Sequence, residues 1–262
     1  MTTALVAEPL RQGWIEDAAN VELVKDLTAE TVSERGLCAL VGSIDAAILS
    51  DRFTVITDVG LTSWHSGAIA LWTLVRPDEV DDVMIDLDGV SRTAEAVARA
   101  TITRFFGMTL RGFNHGDGSG EAIVREHQDA MLEIETGQLN DLIRGWFILS
   151  GLPMVTHALV VPNELIENDP DTVRQIVERV RESVRTGVKR RREIRRNLHQ
   201  LYPVDRDQLV TFHNEQTISL SKTARKGWLD LLRRVGRQMD LPLPETISFL
   251  TVGEPDETEP EA

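Results

Sequence analysis

Two long apolar segments constrain the fold most. Residues 67–75 (GAIALWTLV) and residues 154–161 each have the length and composition of a strand covered on both faces. They bracket about eighty residues in which short apolar runs alternate with helical patterns. This alternation predicts parallel sheets, and the bracketing strands suit one lobe inserted into another, with those two strands as paired crossings. A single doubly wound sheet fits the same pattern.

Local periodicity predicts the other elements. Val173, Val177 and Val180 recur at helical spacing and place an apolar stripe on one long helix. We predict further strands at residues 3–6, 37–41, 53–57, 82–87 and 121–124. We predict helices at 43–49, from Ser91 onward, through most of 131–150, and over 169–188, 205–215 and 223–239.

Charge and composition restrict the partners. The net charge of −14 repels nucleic acid and anionic membranes, so neither is expected as a partner. No run approaches the roughly 18 apolar residues that span a bilayer, and the first residues lack a basic, then apolar leader, so we expect a cytoplasmic protein. Residues 253–262 are acidic and predict a disordered tail. The single cysteine, Cys38, excludes an internal disulfide.

Two predicted strand-to-helix junctions carry the candidate binding residues. The first is the stretch LVGSID that contains Ser43, and the second is the stretch DLDGVSRT that ends in Ser91, Arg92 and Thr93. A helix start offers unpaired N–H groups, hydroxyls add donors, and a guanidinium binds a carboxylate through two bonds. These residues therefore describe a site for a small carboxylate. Ordinary helix capping by serine and threonine explains the same residues without a ligand.

The remaining motifs give no metal or cofactor. The six histidines form no i, i+4 pair and have no companion cysteine, so no metal site is expected. His65 precedes a long strand and is expected either to face the cleft or to lie in a surface loop, whereas His157 suggests a satisfied core histidine. The glycine-rich segment 112–120 lacks the P-loop lysine and the dinucleotide fingerprint. The basic run 189–196 indicates the solvated face of a helix, with an RNA contact as the alternative.

Several segments, in order along the chain, resemble one enzyme family. The segments are Pro9-Leu10, CALVGSIDA (38–46), ITD (56–58), GAI (67–69), LDGVSRTA (87–94), Trp146 with SGLPMV (150–155), and KGWL (226–229). They resemble the chorismate dehydratases of the futalosine route to menaquinone. The resemblance implies an α/β fold of the two-lobed periplasmic-binding-protein type (type II), with a central cleft between the lobes.

The same resemblance implies the function and the site. It implies a lyase that removes water from chorismate or a related carboxylate, with Ser43, Ser91, Arg92, Thr93 and Gly67 binding the substrate. Ser43 and His65 are the candidate catalytic residues. A cytoplasmic binding protein for a small carboxylate that has lost catalysis is the alternative. No cofactor is expected, and the protein is expected to be a monomer or homodimer.

This chain departs from the family pattern at several polar positions. Val6 stands near the expected asparagine, and Leu71 and Ala94 replace two serines. Such groups position a substrate and stabilise developing charge, so their loss should slow the chemical step. For the domains, we predict residues 1–76 plus 160–252 as lobe 1 and residues 77–159 as lobe 2.

Overall fold

The computed structural model describes residues 1–16, 21–65, 67–116, 120–132 and 136–253. The helices are α1 Ala4–Arg11, α2 Ala29–Arg35, α3 Ser43–Ile48, α4 Arg92–Thr101, α5 Leu142–Ser150, α6 Asn163–Asn168, α7 Pro170–Lys189, α8 Arg191–Leu201, α9 Arg206–Glu215 and α10 Lys222–Val235. The strands are β1 Ala39–Gly42, β2 Phe53–Ser63, β3 Ile69–Thr73, β4 Val83–Asp86, β5 Leu110–Asn114, β6 Ala122–Glu126, β7 Gln138–Asp141, β8 Met154–Pro162, β9 Gln216–Thr217 and β10 Phe249–Leu250.

The strands form two separate sheets. The first has the order β1-β8-β2-β10, with β9 also paired to β2, and the second has the order β5-β4-β6-β3-β7. Both sheets are mixed, so the prediction of parallel sheets is right only for β4 with β5, β4 with β6, and β2 with β10. The helix α4 joins β4 to β5 and supplies the crossover that a parallel pair requires. Strands β3 and β8 follow crossings between the sheets and pair antiparallel with their neighbours.

The two long apolar segments lie in different sheets. Residues 67–75 contain β3 of the second sheet, and residues 154–161 lie in β8 of the first. They do not pair with each other, because β8 pairs with β1 and β2. The chain changes sheet between Ser63 and Ile69 and again between Asp141 and Met154. The division into lobes 1–76 plus 160–252 and 77–159 stays a prediction, with boundaries that differ from this division by sheet.

Two local predictions are corrected. Residues 3–6 do not form a strand but lie at the start of helix α1. The residues that follow are good helix formers, and the helix buries Leu5, Val6 and Pro9 on one side. A four-residue apolar run does not distinguish the two states by itself. Of the described residues in 131–150, those of α5 form an α-helix. Asp141 ends strand β7 and caps this helix through the backbone N–H groups of Ile143 and Arg144.

One hydrophobic core joins the two sheets. It contains Val55 of the first sheet and Leu71 of the second, and Trp146 and Trp228 are fully buried in it. Leu71 and Ala94, which replace polar residues of the family pattern, are thus both core residues. This shared core fixes the position of the two sheets relative to each other.

Helix α1 packs closely on α7. Gly187 of α7 makes this possible, because a Cβ atom there would lie 1.9 Å from the backbone oxygen of Leu5. The hydroxyl of Ser183 donates to the backbone oxygen of Val6 at 2.5 Å. These contacts fix α1 against α7.

At the other end of the described chain, Gly253 donates its N–H to Asp58. The predicted acidic tail beyond it, residues 254–262, lies outside the described residues. None of the described helices is long and apolar enough to cross a membrane.

Candidate functional site

The starts of helices α3 and α4 meet between the two sheets. The hydroxyl oxygens of Ser43 and Thr93 lie 3.5 Å apart, and the N–H of Ile44 donates to Thr93 Oγ1 at 3.3 Å. Gly42 allows this approach, since a Cβ atom on it would lie 2.9 Å from Thr93 Oγ1. Both hydroxyls are buried. The structure therefore brings together two of the predicted binding residues from segments fifty residues apart.

Ser91 is occupied by a carboxylate of the protein itself. Its N–H donates to Glu126 Oε2 at 2.8 Å and its hydroxyl donates to Glu126 Oε1 at 2.9 Å. The same hydroxyl caps α4 by accepting the N–H of Ala94. A helix start attracts negative charge, and here Glu126, the last residue of β6, supplies it. Capping and anion binding are thus combined at one serine.

Arg92 also binds carboxylates of the protein. Its guanidinium donates to Asp45 at 2.9 Å and to the two oxygens of Glu30 at 2.8 and 3.1 Å. The hydrogen bond from Arg92 lowers the pKa of Glu30 to about 2. Burial raises the pKa of Asp45, and Arg92 and the N–H of Ala29 act against that rise. The predicted carboxylate clamp exists, but its described partners tie α2 and α3 to α4.

His65 and Gly67 lie on the connection between β2 and β3, and their described contacts are with α5. His65 is exposed, and its ring packs edge-on against Phe147 with 4.4 Å between the ring centroids. The N–H of Gly67 donates to Asp141 at 3.0 Å, and a Cβ atom there would lie 2.1 Å from a side-chain atom of Ile143. Burial raises the pKa of Asp141 to about 6. These two residues are therefore grouped with α5 and not with the starts of α3 and α4.

A second polar group lies where β6 ends. His127 Nδ1 is 3.3 Å from the hydroxyl of Thr2, and the backbone oxygen of Thr2 accepts a hydrogen bond from Gln216 at 2.8 Å. Burial lowers the pKa of His127, so its ring is uncharged at neutral pH. The sequence comparison with the dehydratases put Val6 near the expected asparagine. The structure buries Val6 in α1 and gives the polar contact to Thr2.

His157 completes the polar residues at this junction. It lies in β8, opposite Gly42 of β1 and Leu61 of β2. Its Nδ1 atom is buried without a hydrogen-bond partner among the described residues, so the prediction of a satisfied core histidine is wrong. Burial lowers the pKa of His157 to about 3, with nearby His127 as a second cause. The Nδ1 atom of this neutral ring is therefore available for a hydrogen bond beside the start of α3.

We call these eight residues the polar ring: Thr2, Ser43, Ser91, Thr93, Glu126, His127, His157 and Gln216. Contacts or sheet register connect them around the junction of the two sheets. Hydroxyls and helix N–H groups bind carboxylates, while neutral imidazoles and a carboxylate accept protons. Within the described ranges, no group of three or more His, Cys, Asp or Glu side chains is arranged to hold a metal ion.

Residue spacing did not indicate Thr2, Glu126, His127 or Gln216. They come from separate segments and match no motif by themselves. The dehydratase pattern carries a Gly-Asp pair before the Trp helix that has no clear counterpart in residues 124–129, so the resemblance did not single out Glu126 or His127 either.

Several solved structures share the fold at low sequence identity. Protein AF1704 from Archaeoglobus fulgidus superposes with a TM-score of 0.67 and 13% identity, covering 90% of this chain and 94% of that one. The alkanesulfonate-binding protein from Xanthomonas axonopodis pv. citri, bound to MOPS, gives 0.65 and 12%, covering 92% and 91%. The periplasmic aliphatic sulphonate binding protein from Escherichia coli gives 0.60 and 10%, covering 100% and 93%. The chain therefore has the two-lobed periplasmic-binding-protein fold, as the sequence predicted.

Sequence comparison identifies the family. No curated protein matches the chain significantly. A family model described as menaquinone biosynthesis matches residues 18–237, which include every predicted binding residue and most of the polar ring. This chain belongs to the menaquinone biosynthesis family.

Proposed function

We propose that this protein removes water from chorismate or a closely related carboxylate at the polar ring, as a divergent chorismate dehydratase of menaquinone biosynthesis. Family membership supports the pathway. The observation that carries the site is the meeting of two helix starts from different sheets, with the hydroxyls of Ser43 and Thr93 3.5 Å apart beside the Ser91–Glu126 pair. The protein works in the cytoplasm as a monomer or homodimer, which cell fractionation and size-exclusion chromatography would test.

The chemistry requires few groups. A base removes a proton from a ring carbon, the ring hydroxyl leaves as water, and the ring becomes aromatic, which supplies the driving force. The protein must hold the substrate carboxylates, accept one proton and assist the leaving hydroxyl. Donors fixed before the substrate arrives are effective because they need no reorganisation during the reaction.

The substrate carboxylates bind at the two helix starts. Ser43, Ser91 and Thr93 provide hydroxyls, and the guanidinium of Arg92 lies at the start of α4. The backbone of Gly67 contacts Asp141 and takes part only if the connection between β2 and β3 turns toward the junction. Glu126 holds Ser91 in the ligand-free protein, so a substrate carboxylate competes with Glu126 for the same donors. The Glu126→Gln variant should then bind a carboxylate ligand more tightly, because one like charge is removed.

Two histidines are candidates for the proton acceptor. His65 is exposed against Phe147, and reaches substrate only if the connection between β2 and β3 turns toward the junction. The Nδ1 atom of His157 at the polar ring has no hydrogen-bond partner among the residues that the structure describes. The pKa of His157 is about 3, so the ring is neutral at pH 7. We therefore expect His157→Gln to reduce turnover more than His65→Gln does.

The test is to incubate the purified protein with chorismate and follow formation of the enolpyruvyl-oxybenzoate by mass spectrometry, with a melting curve alongside. The variants Ser43→Ala, His65→Gln and His157→Gln are compared with His115→Gln, whose side chain is exposed and contacts Glu95 of α4. Turnover that falls in the Ser43 and histidine variants but not in His115→Gln supports the proposal. A raised melting temperature without turnover indicates carboxylate binding alone and contradicts the dehydratase. Absence of both effects contradicts the chorismate site altogether.

A further inference from the structure

Two arginines of helix α8 have no acidic partner in the part of the chain that the structure describes. Arg191 Nη1 and Arg195 Nη2 donate to the same amide oxygen, Asn214 Oδ1, at 3.2 and 2.8 Å. Among the described residues, no carboxylate forms an ion pair with either guanidinium, although the chain carries a net charge of −14. Two positive charges one helical turn apart therefore share a single neutral acceptor.

Beside these arginines lies a fully buried histidine. His213 of α9 has no exposed surface, and neither of its ring nitrogens has a hydrogen-bond partner within the described ranges. The Nε atoms of Arg191 and Arg195 are also buried and unpartnered. Buried polar groups are normally paired, because an unpaired one is destabilising. Four buried nitrogen atoms between α8 and α9 therefore lack a hydrogen-bond partner among the described residues: Nε of Arg191, Nε of Arg195, and both ring nitrogens of His213.

The positive charges of these side chains lower one another's pKa values. Burial lowers the pKa of His213 to about 3, and the positive charges of Arg195 and Arg191 contribute. Burial and the neighbouring Arg191 and Arg192 likewise lower the pKa of Arg195. The positive charge of this cluster disfavours protonation of both His213 and Arg195. A bound anion would offset that charge.

We propose that Arg191, Arg195 and His213 form a binding site for a small oxyanion, a phosphate or carboxylate group, between α8 and α9. A phosphate or carboxylate group offers a pair of oxygens spaced to accept two parallel hydrogen bonds from a planar guanidinium, and it neutralises the positive charge. The site uses two arginines of the basic run 189–196, whose predicted roles were a solvated face or an RNA contact. It shares no residue with the polar ring and does not rest on the dehydratase proposal.

The test is isothermal titration of the full chain with inorganic phosphate and, separately, with benzoate, at constant ionic strength in chloride buffer. We expect saturable binding of one anion, and the preferred anion distinguishes a phosphate ligand from a carboxylate one. Arg195→Met should weaken binding at least about tenfold, because a charge-assisted pair of bonds is lost. Arg192→Met, an exposed neighbour in the same run, is the matched control and should change affinity less than about twofold.

Two results would overturn this site. One is the absence of saturable binding for both anions, which would leave water as the partner of these nitrogens. The other is equal weakening by Arg192→Met and Arg195→Met, which would mean general attraction to positive charge. If Arg195→Met fails to fold, Arg195→Lys keeps the charge but loses the planar fork, and unchanged affinity in that variant would also contradict the geometry.

Discussion

Replacing Arg92 with methionine tests whether this residue holds the junction together. The change keeps most of the side-chain volume and removes the guanidinium that binds Asp45 and Glu30. Asp45 is then left with the N–H of Ala29 as its described hydrogen-bond partner. Its side chain is 8% exposed, whereas that of Glu30 is 57% exposed.

The exposure of each partner determines the expected loss. The exposed Glu30 pair is screened by solvent and contributes about 0–1 kcal/mol. Removing the partner of a buried carboxylate costs about 1.5–3 kcal/mol, because the charge stays in a poorly solvated place. Together these two contributions predict that Arg92→Met lowers the free energy of unfolding by about 1.5–4 kcal/mol at pH 7.

Urea unfolding followed by tryptophan fluorescence measures this loss, with an unchanged m-value as a check on the denatured state. The matched control is Arg76→Met, which breaks a 2.8 Å ion pair with Asp78 whose side chains are both more than half exposed, and should cost less than about 0.5 kcal/mol. Adding Asp45→Asn to Arg92→Met should restore part of the stability, because no buried charge then remains.

The pH dependence has a defined sign. Without Arg92 the folded-state pKa of Asp45, already raised by burial, rises further above its unfolded value. The penalty is then present above that folded pKa and disappears as the pH falls through it, so the variant and the parent should converge toward pH 4. Equal stability of Arg92→Met and Arg76→Met at pH 7, with weakened binding of a carboxylate ligand, would show that Arg92 serves the ligand and refute this reasoning.

Three further measurements test other parts of the structure. Gly187→Ala places a Cβ atom 1.9 Å from the Leu5 backbone oxygen and should lower Tm by roughly 4–8 °C; an unchanged Tm would contradict the close packing of α1. Burial raises the pKa of Cys38 to about 11, so iodoacetamide should modify it at pH 8 roughly 100-fold more slowly than in the unfolded chain, whereas equal rates would contradict its burial. His157 and His213 have folded pKa values of about 3, below the unfolded value, so their contribution to folding stability is present above about pH 6.5 and is lost as the pH falls. In phosphate-free buffer each histidine should lower the free energy of unfolding by up to about 1.4 kcal/mol per pH unit between pH 6 and 4. The His213→Phe variant should show a smaller slope.

Local sequence predicted most individual elements. The run Leu37–Val41 is apolar and short, which predicts a strand, and residues 39–41 of it lie in β1 (Ala39–Gly42). Ser91 followed by helical periodicity predicted α4, whose first turn it caps. The strand predicted at residues 3–6 was wrong because so short a run fits a helix or a strand equally well. The packing of α1 on α7 decided between the two.

Sequence order did not predict which strands pair. The apolar segments 67–75 and 154–161 are both strands, yet they lie in different sheets. Pairing depends on where the chain crosses between the sheets, and an apolar strand can pair with any other apolar strand. The mixed direction of the sheets follows from the same crossings.

The sequence by itself, through the family resemblance, determined the fold class. It also named Ser43 and Thr93 as binding residues, because both lie at similar strand-to-helix junctions that local sequence order reveals. Only the tertiary structure decided what those donors contact. It assembled Thr2, Glu126 and His127 around them and gave Arg92 two carboxylate partners, since contacts between distant segments depend on how two sheets share a core and not on spacing along the chain.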